Sequence, residues 1–138
     1  GRPGRIAALV LIPTIALGDQ LNSSFLKFII DRPRPCHELA NVHLLVGCGS
    51  GYSFPSSHAV NNFAGALVLS YFLPRWTWAF ISYASVICFS RIYVGVHYPS
   101  DVIAGAIIGL VVGSVVLVAF RRSEDWWRKR RASRIVTP

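Results

Sequence analysis

The sequence predicts an all-α fold, an integral-membrane bundle with four transmembrane helices. Three observations carry that reading. Of the 138 residues, 53% are hydrophobic and only 14% charged, whereas soluble domains carry about 25% charged residues. The apolar residues gather into runs that approach or exceed the ~20 residues a helix needs to cross a roughly 30 Å hydrocarbon core. Basic residues (Arg121, Arg122, Arg128, Lys129, Arg130, Arg131 and Arg134) crowd in after the last run.

The first segment runs from about Ile6 to Ile30. It is apolar to Leu17 and then broken by Asp19, Gln20, Asn22, Ser23 and Ser24, so it faces other helices or a wet cavity rather than lipid. Asp19 reads equally well as a buried, hydrogen-bonded structural residue. The second segment, about Ser57 to Leu73, is stopped by Pro74, and the third covers about Trp76 to Val94. The fourth, Pro99 to Phe120, opens on a proline suited to a first helical turn. Its Gly105, Gly109 and Gly113 form two overlapping GxxxG steps, which permit close helix packing.

Residues 1–120 are thus expected to form the membrane domain and 121–138 a basic juxtamembrane tail. The net charge of +8 would suggest nucleic acid in a soluble protein. Here its position points instead to anionic lipid, at about 1 kcal/mol per basic residue. Arg2, Arg5, Arg75 and the tail lie on one side; Lys27, Arg32, Arg34 and Arg91 lie near the other. The positive-inside rule makes the first side cytoplasmic. The expected location is a bacterial plasma membrane, with the second side facing the periplasm or exterior. Trp76, Trp78, Trp126 and Trp127 fit aromatic anchors on the cytoplasmic side. On the outward side, Cys36 and Cys48 share one long loop and are a candidate disulfide in an oxidising compartment. Cys88, inside the third segment, reads as a small buried apolar residue. The sequence contains no methionine, and on that ground a fragment is expected.

Three clusters share the outward face: KFIIDRPRP (27–35), SFPSSH (53–58) and SRIYVGVHYPSD (90–101). Lys27, Arg34 and Arg91 are cations without an equal number of nearby carboxylates, and arginine forks suit a phosphate or sulfate. Ser56 and Ser57 open a helix, whose free amides and dipole favour an oxyanion, although serine there is also an ordinary N-cap. His97 and Asp101 are four residues apart where a helix begins. The carboxylate can fix the imidazole tautomer and leave the other nitrogen to attack; it also suits the helix dipole. His58 is placed to protonate a leaving alkoxide. His37 and His43 have no comparable partners and read as loop residues. No ligand-spaced cluster supports a metal, which the three cations would repel, so neither metal nor cofactor is expected.

These clusters resemble the signature of the type-2 phosphatidic acid phosphatase superfamily: KxxxxxxRP, PSGH and SRxxxxxHxxxD. The resemblance covers about Leu17 to Leu110. It implies that Lys27, Arg34 and Arg91 bind phosphate, helped by Ser56 and the Ser57 backbone. It further implies that His97 attacks phosphorus to form a phosphohistidine, oriented by Asp101, while His58 protonates the leaving group. Ser57 departs from the motif's glycine. Membrane members look like six-helix proteins, so the four segments here are expected to be the C-terminal part of such a fold.

The function expected is a metal-independent lipid phosphatase acting on a phosphomonoester or pyrophosphate. Phosphatidic acid, phosphatidylglycerol phosphate, undecaprenyl pyrophosphate and lipid A are the substrate types considered. A vanadate-dependent oxidase resembles the same anion site but belongs with large soluble proteins. A non-catalytic lipid-phosphate binder or transporter would not need His97 or Asp101.

Overall fold

The computed structural model describes residues 1–40 and 44–135; His43 lies outside the described residues. In chain order the elements are α1 (Arg2–Leu21), a π-helical turn (Asn22–Leu26), α2 (Lys27–Ile30), α3 (Pro35–Glu38), α4 (Ser57–Phe72), a 3-10 turn (Pro74–Trp76), α5 (Thr77–Tyr93) and α6 (Pro99–Ile135). No strand occurs among the described residues, so the fold is all-helical.

Helix α4 is the centre, packed against α1, α5 and α6. Its composition explains this: Ala59, Val60, Ala64, Gly65, Ala66 and Val68 are all buried, and small side chains let three neighbours approach one helix. The closest approach is to α6. A Cβ at Gly105 would lie 2.7 Å from the Ser56 carbonyl oxygen and 2.8 Å from Ala59 Cβ, and a Cβ at Gly113 would lie 3.1 Å from the Ala64 carbonyl oxygen. At Gly109 it would press into the Val60 carbonyl. The GxxxG stripe therefore seats α6 directly on the backbone of α4.

Two apolar clusters close the bundle. Val10, Val68 and Leu117 are packed with Phe72 and Phe120 at one end; Ala59, Cys88 and Val102 are packed with Phe63 and Ile92 towards the other. Cys88 is 3% exposed, a small apolar filler as expected. Asp19, ambiguous in sequence, accepts a hydrogen bond from Asn61 at 2.7 Å and so ties α1 to α4.

Two helices among the described residues are long and apolar enough to cross a membrane, residues 2–26 and 99–133. The expected second and third spans come out shorter, with 16 residues in α4 and 17 in α5. The 3-10 turn begun by Pro74 ends α4 and delays α5 to Thr77, which removes residues from both. Beyond Phe120 the basic segment does not start a new element. Helix α6 continues through it for 37 residues in all, about 55 Å at 1.5 Å per residue.

The α4–α6 contact can be tested by adding a single methyl. Gly109→Ala forces that methyl against backbone that cannot step aside, and should lower stability by about 1–3 kcal/mol. Gly4→Ala, with nothing within 4 Å of the new Cβ, should leave the thermal midpoint in detergent unchanged or slightly raised.

Candidate active site

The polar cluster in the first segment breaks the helix register. A π turn begins at Asn22, a type of insertion common at functional sites. Asn22 is fully buried. Its side-chain nitrogen donates to the Ser57 hydroxyl at 2.6 Å and to the Pro55 carbonyl at 3.3 Å. After α2, Asp31 adopts a left-handed conformation (φ 44), which reverses the chain into the Arg32–Arg34 stretch. Between α5 and α6 the chain turns at Gly95 (φ 75), a backbone that suits glycine, with the Gly95 amide donating to the Ile92 carbonyl at 3.0 Å.

These turns bring the start of α2, the start of α4, the end of α5 and the turn that leads into α6 around one cavity of about 230 Å³. Its polar lining is Lys27, Arg34, Ser57, His58, Arg91 and His97. All three expected cations and both expected histidines face it, and no carboxylate does among the described residues. Arg34 is steadied by donating from Nε to the Gly51 carbonyl at 3.1 Å, and Arg91 donates from Nε to the Ser90 hydroxyl at 3.2 Å. The cavity is also edged by Val46 and Gly47, inside the loop closed by the Cys36–Cys48 disulfide, and by Gly49 just beyond it; the Cα atoms of the two cysteines are 6.1 Å apart. His37 lies beside these sulfurs. With the sulfurs bonded to each other, no thiolate pair is left there to ligate a metal.

Two expectations need correction. Ser56 does not line the cavity: it is fully buried and its amide donates to the Asp101 carbonyl at 3.1 Å. Its hydroxyl has no hydrogen-bond partner among the described residues. The contact between Asp101 and His97 is also less direct than spacing suggested. Asp101 Oδ2 lies 3.6 Å from His97 Nδ1, beyond hydrogen-bonding distance.

Ser53, which the motif reading did not single out, lies between them. Its hydroxyl donates to Asp101 Oδ2, and its oxygen lies 3.4 Å from His97 Nδ1. A hydroxyl has one hydrogen. Once it is given to the carboxylate, the oxygen can only accept, so Nδ1 carries the imidazole hydrogen and Nε2 keeps its lone pair. Asp101 is completed by the Tyr98 amide at 2.8 Å and by Arg32 Nη1 at 2.9 Å. Arg32, stacked 3.9 Å over the Tyr98 ring, therefore serves the carboxylate rather than the cavity. Arg32 is two residues from Arg34, an offset that puts both side chains on one face of ideal extended chain, so spacing carried no signal that separates their partners; for Asn22 the signal was the polar cluster itself.

Burial, and after it the positive charge of Arg34, push the His97 pKa down to about 4, with Asp101 opposing. His97 is therefore neutral at pH 7, as a nucleophile requires. The same shift affects stability. Below the ordinary imidazole value of about 6.5 the unfolded chain takes up a proton that folded His97 refuses until about pH 4. Stability from this group is complete above that window and lost as pH falls through it. Thermal midpoints in detergent should fall from pH 6.5 to 4, and less steeply in His97→Gln.

The sequence profile of the PAP2 superfamily matches residues 6–125. The chain is 41% identical over 103 residues to a lipid A 4'-phosphatase of Bacteroides thetaiotaomicron, covering 70% of this chain and 46% of that one. It is 34% identical over 128 residues to a lipid A 4'-phosphatase of Porphyromonas gingivalis, covering 88% and 54%. It is 39% identical over 84 residues to an undecaprenyl-diphosphatase of Sulfolobus acidocaldarius, covering 60% and 41%. The chain thus spans about half the length of the curated relatives it matches. Among solved structures, Aquifex aeolicus LpxE superimposes with a TM-score of 0.70 at 35% identity, over 82% of this chain and 68% of that one. A transmembrane PAP2 type phosphatidylglycerolphosphate phosphatase from Bacillus subtilis does so with a TM-score of 0.63 at 30% identity, over 83% and 59%. Profile, relatives and fold agree over the same residues that surround the cavity, and the chain belongs to the PAP2 superfamily.

Proposed function

We propose that this chain carries the active site of a metal-independent lipid phosphatase working through a phosphohistidine. The observation that carries the proposal is the cavity lining: three cations and two histidines with no carboxylate among the described residues. Such a lining attracts a phosphate and repels a divalent ion. Lys27, Arg34, Arg91 and the leading amides of α4 hold the phosphoryl oxygens. Neutral His97 attacks phosphorus through Nε2 as the bond to the lipid oxygen breaks, and His58 gives that oxygen its proton. In the second step His58 takes a proton from water, the water oxygen bonds to phosphorus, and the phosphorus–nitrogen bond breaks. Inorganic phosphate leaves and His97 is restored. Ser53 and Asp101 hold the tautomer throughout.

The substrate proposed is a lipid phosphomonoester of the lipid A type, because two of the relatives are named for it; a lipid pyrophosphate is the next in line. We place residues 1–120 in the membrane, with α4 and α5 completing four spans. Exposed apolar residues on α5, such as Ile81, Val86 and Phe89, support this, since lipid would cover them. The basic stretch 121–138 lies on the cytoplasmic side against anionic lipid. The disulfide beside the cavity supports an outward-facing site, as such bonds persist in oxidising compartments.

Phosphate release from a lipid A-type substrate in mixed micelles with EDTA is the direct test. The native chain should be active, and His97→Ala should lose roughly a thousandfold or more. An acid-labile phosphoenzyme should be trapped in the native chain and be missing from His97→Ala. Activity that needs added metal, or that survives in His97→Ala, would overturn the mechanism. The same assay run with phosphatidic acid, phosphatidylglycerol phosphate and undecaprenyl pyrophosphate ranks the substrates.

A further inference from the structure

The superfamily pattern has glycine where this chain has Ser57, and the π turn at the end of α1 supplies that serine with a buried partner. We propose that the Ser57 hydroxyl is itself a phosphate donor, and that Asn22 is the positioning residue that aims it. The inference rests on the phosphate site proposed above and adds to it a contact that the glycine of the pattern cannot make.

The argument begins with the orientation of the Asn22 amide. One atom of that amide lies 3.3 Å from the Pro55 carbonyl oxygen and 2.6 Å from Ser57 Oγ. A carbonyl oxygen can only accept, so the atom facing it is the nitrogen, which can only donate. Ser57 Oγ therefore accepts from Asn22, and its own hydrogen is turned towards some other acceptor. Ser57 faces a cavity whose cationic lining, Lys27, Arg34 and Arg91, consists of donors. An anionic oxygen of a bound phosphate is the acceptor that completes the arrangement.

Two further features show that Asn22 is held for this donation. Its Oδ1 is buried without a hydrogen-bond partner among the described residues, so the amide is placed by what its nitrogen does. The Lys27 amide donates to the Asn22 carbonyl across the π turn, so the turn that brings Asn22 under Ser57 also sets the register of Lys27. An aspartate or leucine at position 22 could fill the space, but neither offers an N–H to the serine.

Competitive inhibition by inorganic phosphate, measured beside lipid turnover in the full chain, tests the proposal. Ser57→Ala and Ser57→Gly should each raise the phosphate inhibition constant about tenfold, the loss of one hydrogen bond to a charged group, with kcat/KM for the lipid falling in step. Ser57→Thr, which keeps the hydroxyl, should stay near the native value. Asn22→Ala should weaken phosphate inhibition on its own but cause no further loss in the Ser57→Ala background, because the two act as one unit. An unchanged inhibition constant in Ser57→Ala would overturn the proposal. So would losses that add, since a merely structural Asn22 would act independently of Ser57. If the native chain turns over lipid phosphate and only the Ser57 result fails, the phosphatase reading stands and this inference falls. If inorganic phosphate does not compete in the native chain, both fall.

Discussion

The contact on which the site depends is the backbone-to-backbone seating of α6 on α4. Gly105, Gly109 and Gly113 remove the side chains that would hold the helices apart. The hydrogen bond from the Ser56 amide to the Asp101 carbonyl then joins the two first turns. Because both helices start at the same level, His58 one residue into α4 and His97 two residues before α6 face the same cavity. A looser contact would move the two histidines apart. For this reason a stripe of glycines without any polar side chain belongs to the description of the site.

Charge is partitioned around that contact with little to spare. The chain has only six acidic residues against fourteen basic ones, and the acid nearest the cavity, Asp101, is fully buried. Its negative charge is met at hydrogen-bonding distance by Arg32, Ser53 and the Tyr98 amide, and it acts on Arg34 only through space. The cations that line the cavity have no carboxylate beside them in that lining among the described residues, although Asp19 acts on Lys27 from a distance. Arg32 and Arg34, alike in chemistry and two residues apart, thus serve opposite ends of the arrangement.

Much of this was legible in sequence because charged residues between apolar runs need a reason to be there. Lys27, Arg34, His58, Arg91 and His97, singled out from the three polar clusters, do line one cavity, and the glycine stripe and the Cys36–Cys48 pair were legible as well. Ser53 was not, and for Asn22 the polar cluster marked the region but not its partner, since neither residue carries a signal of a partner more than thirty residues away. Ser56 was misplaced for a related reason: an N-cap position fixes the backbone, while the groove it packs into decides whether its amide is free. The lengths of α4 and α5 turned on how many residues the Pro74 turn would consume, which apolar runs do not reveal.

The loop that edges the cavity has a consequence for how such a site can diverge. The disulfide pins this stretch, and Gly47, on the edge of the cavity, has no described residue within 4 Å of where a side chain would grow. Gly49 and Gly51, by contrast, have positive φ angles that disfavour any side chain. Position 47 is therefore the place where a lineage could add bulk or charge at the mouth of the cavity in one step. The cationic lining beneath would be untouched, so the mouth of the cavity could change shape while its floor stayed the same.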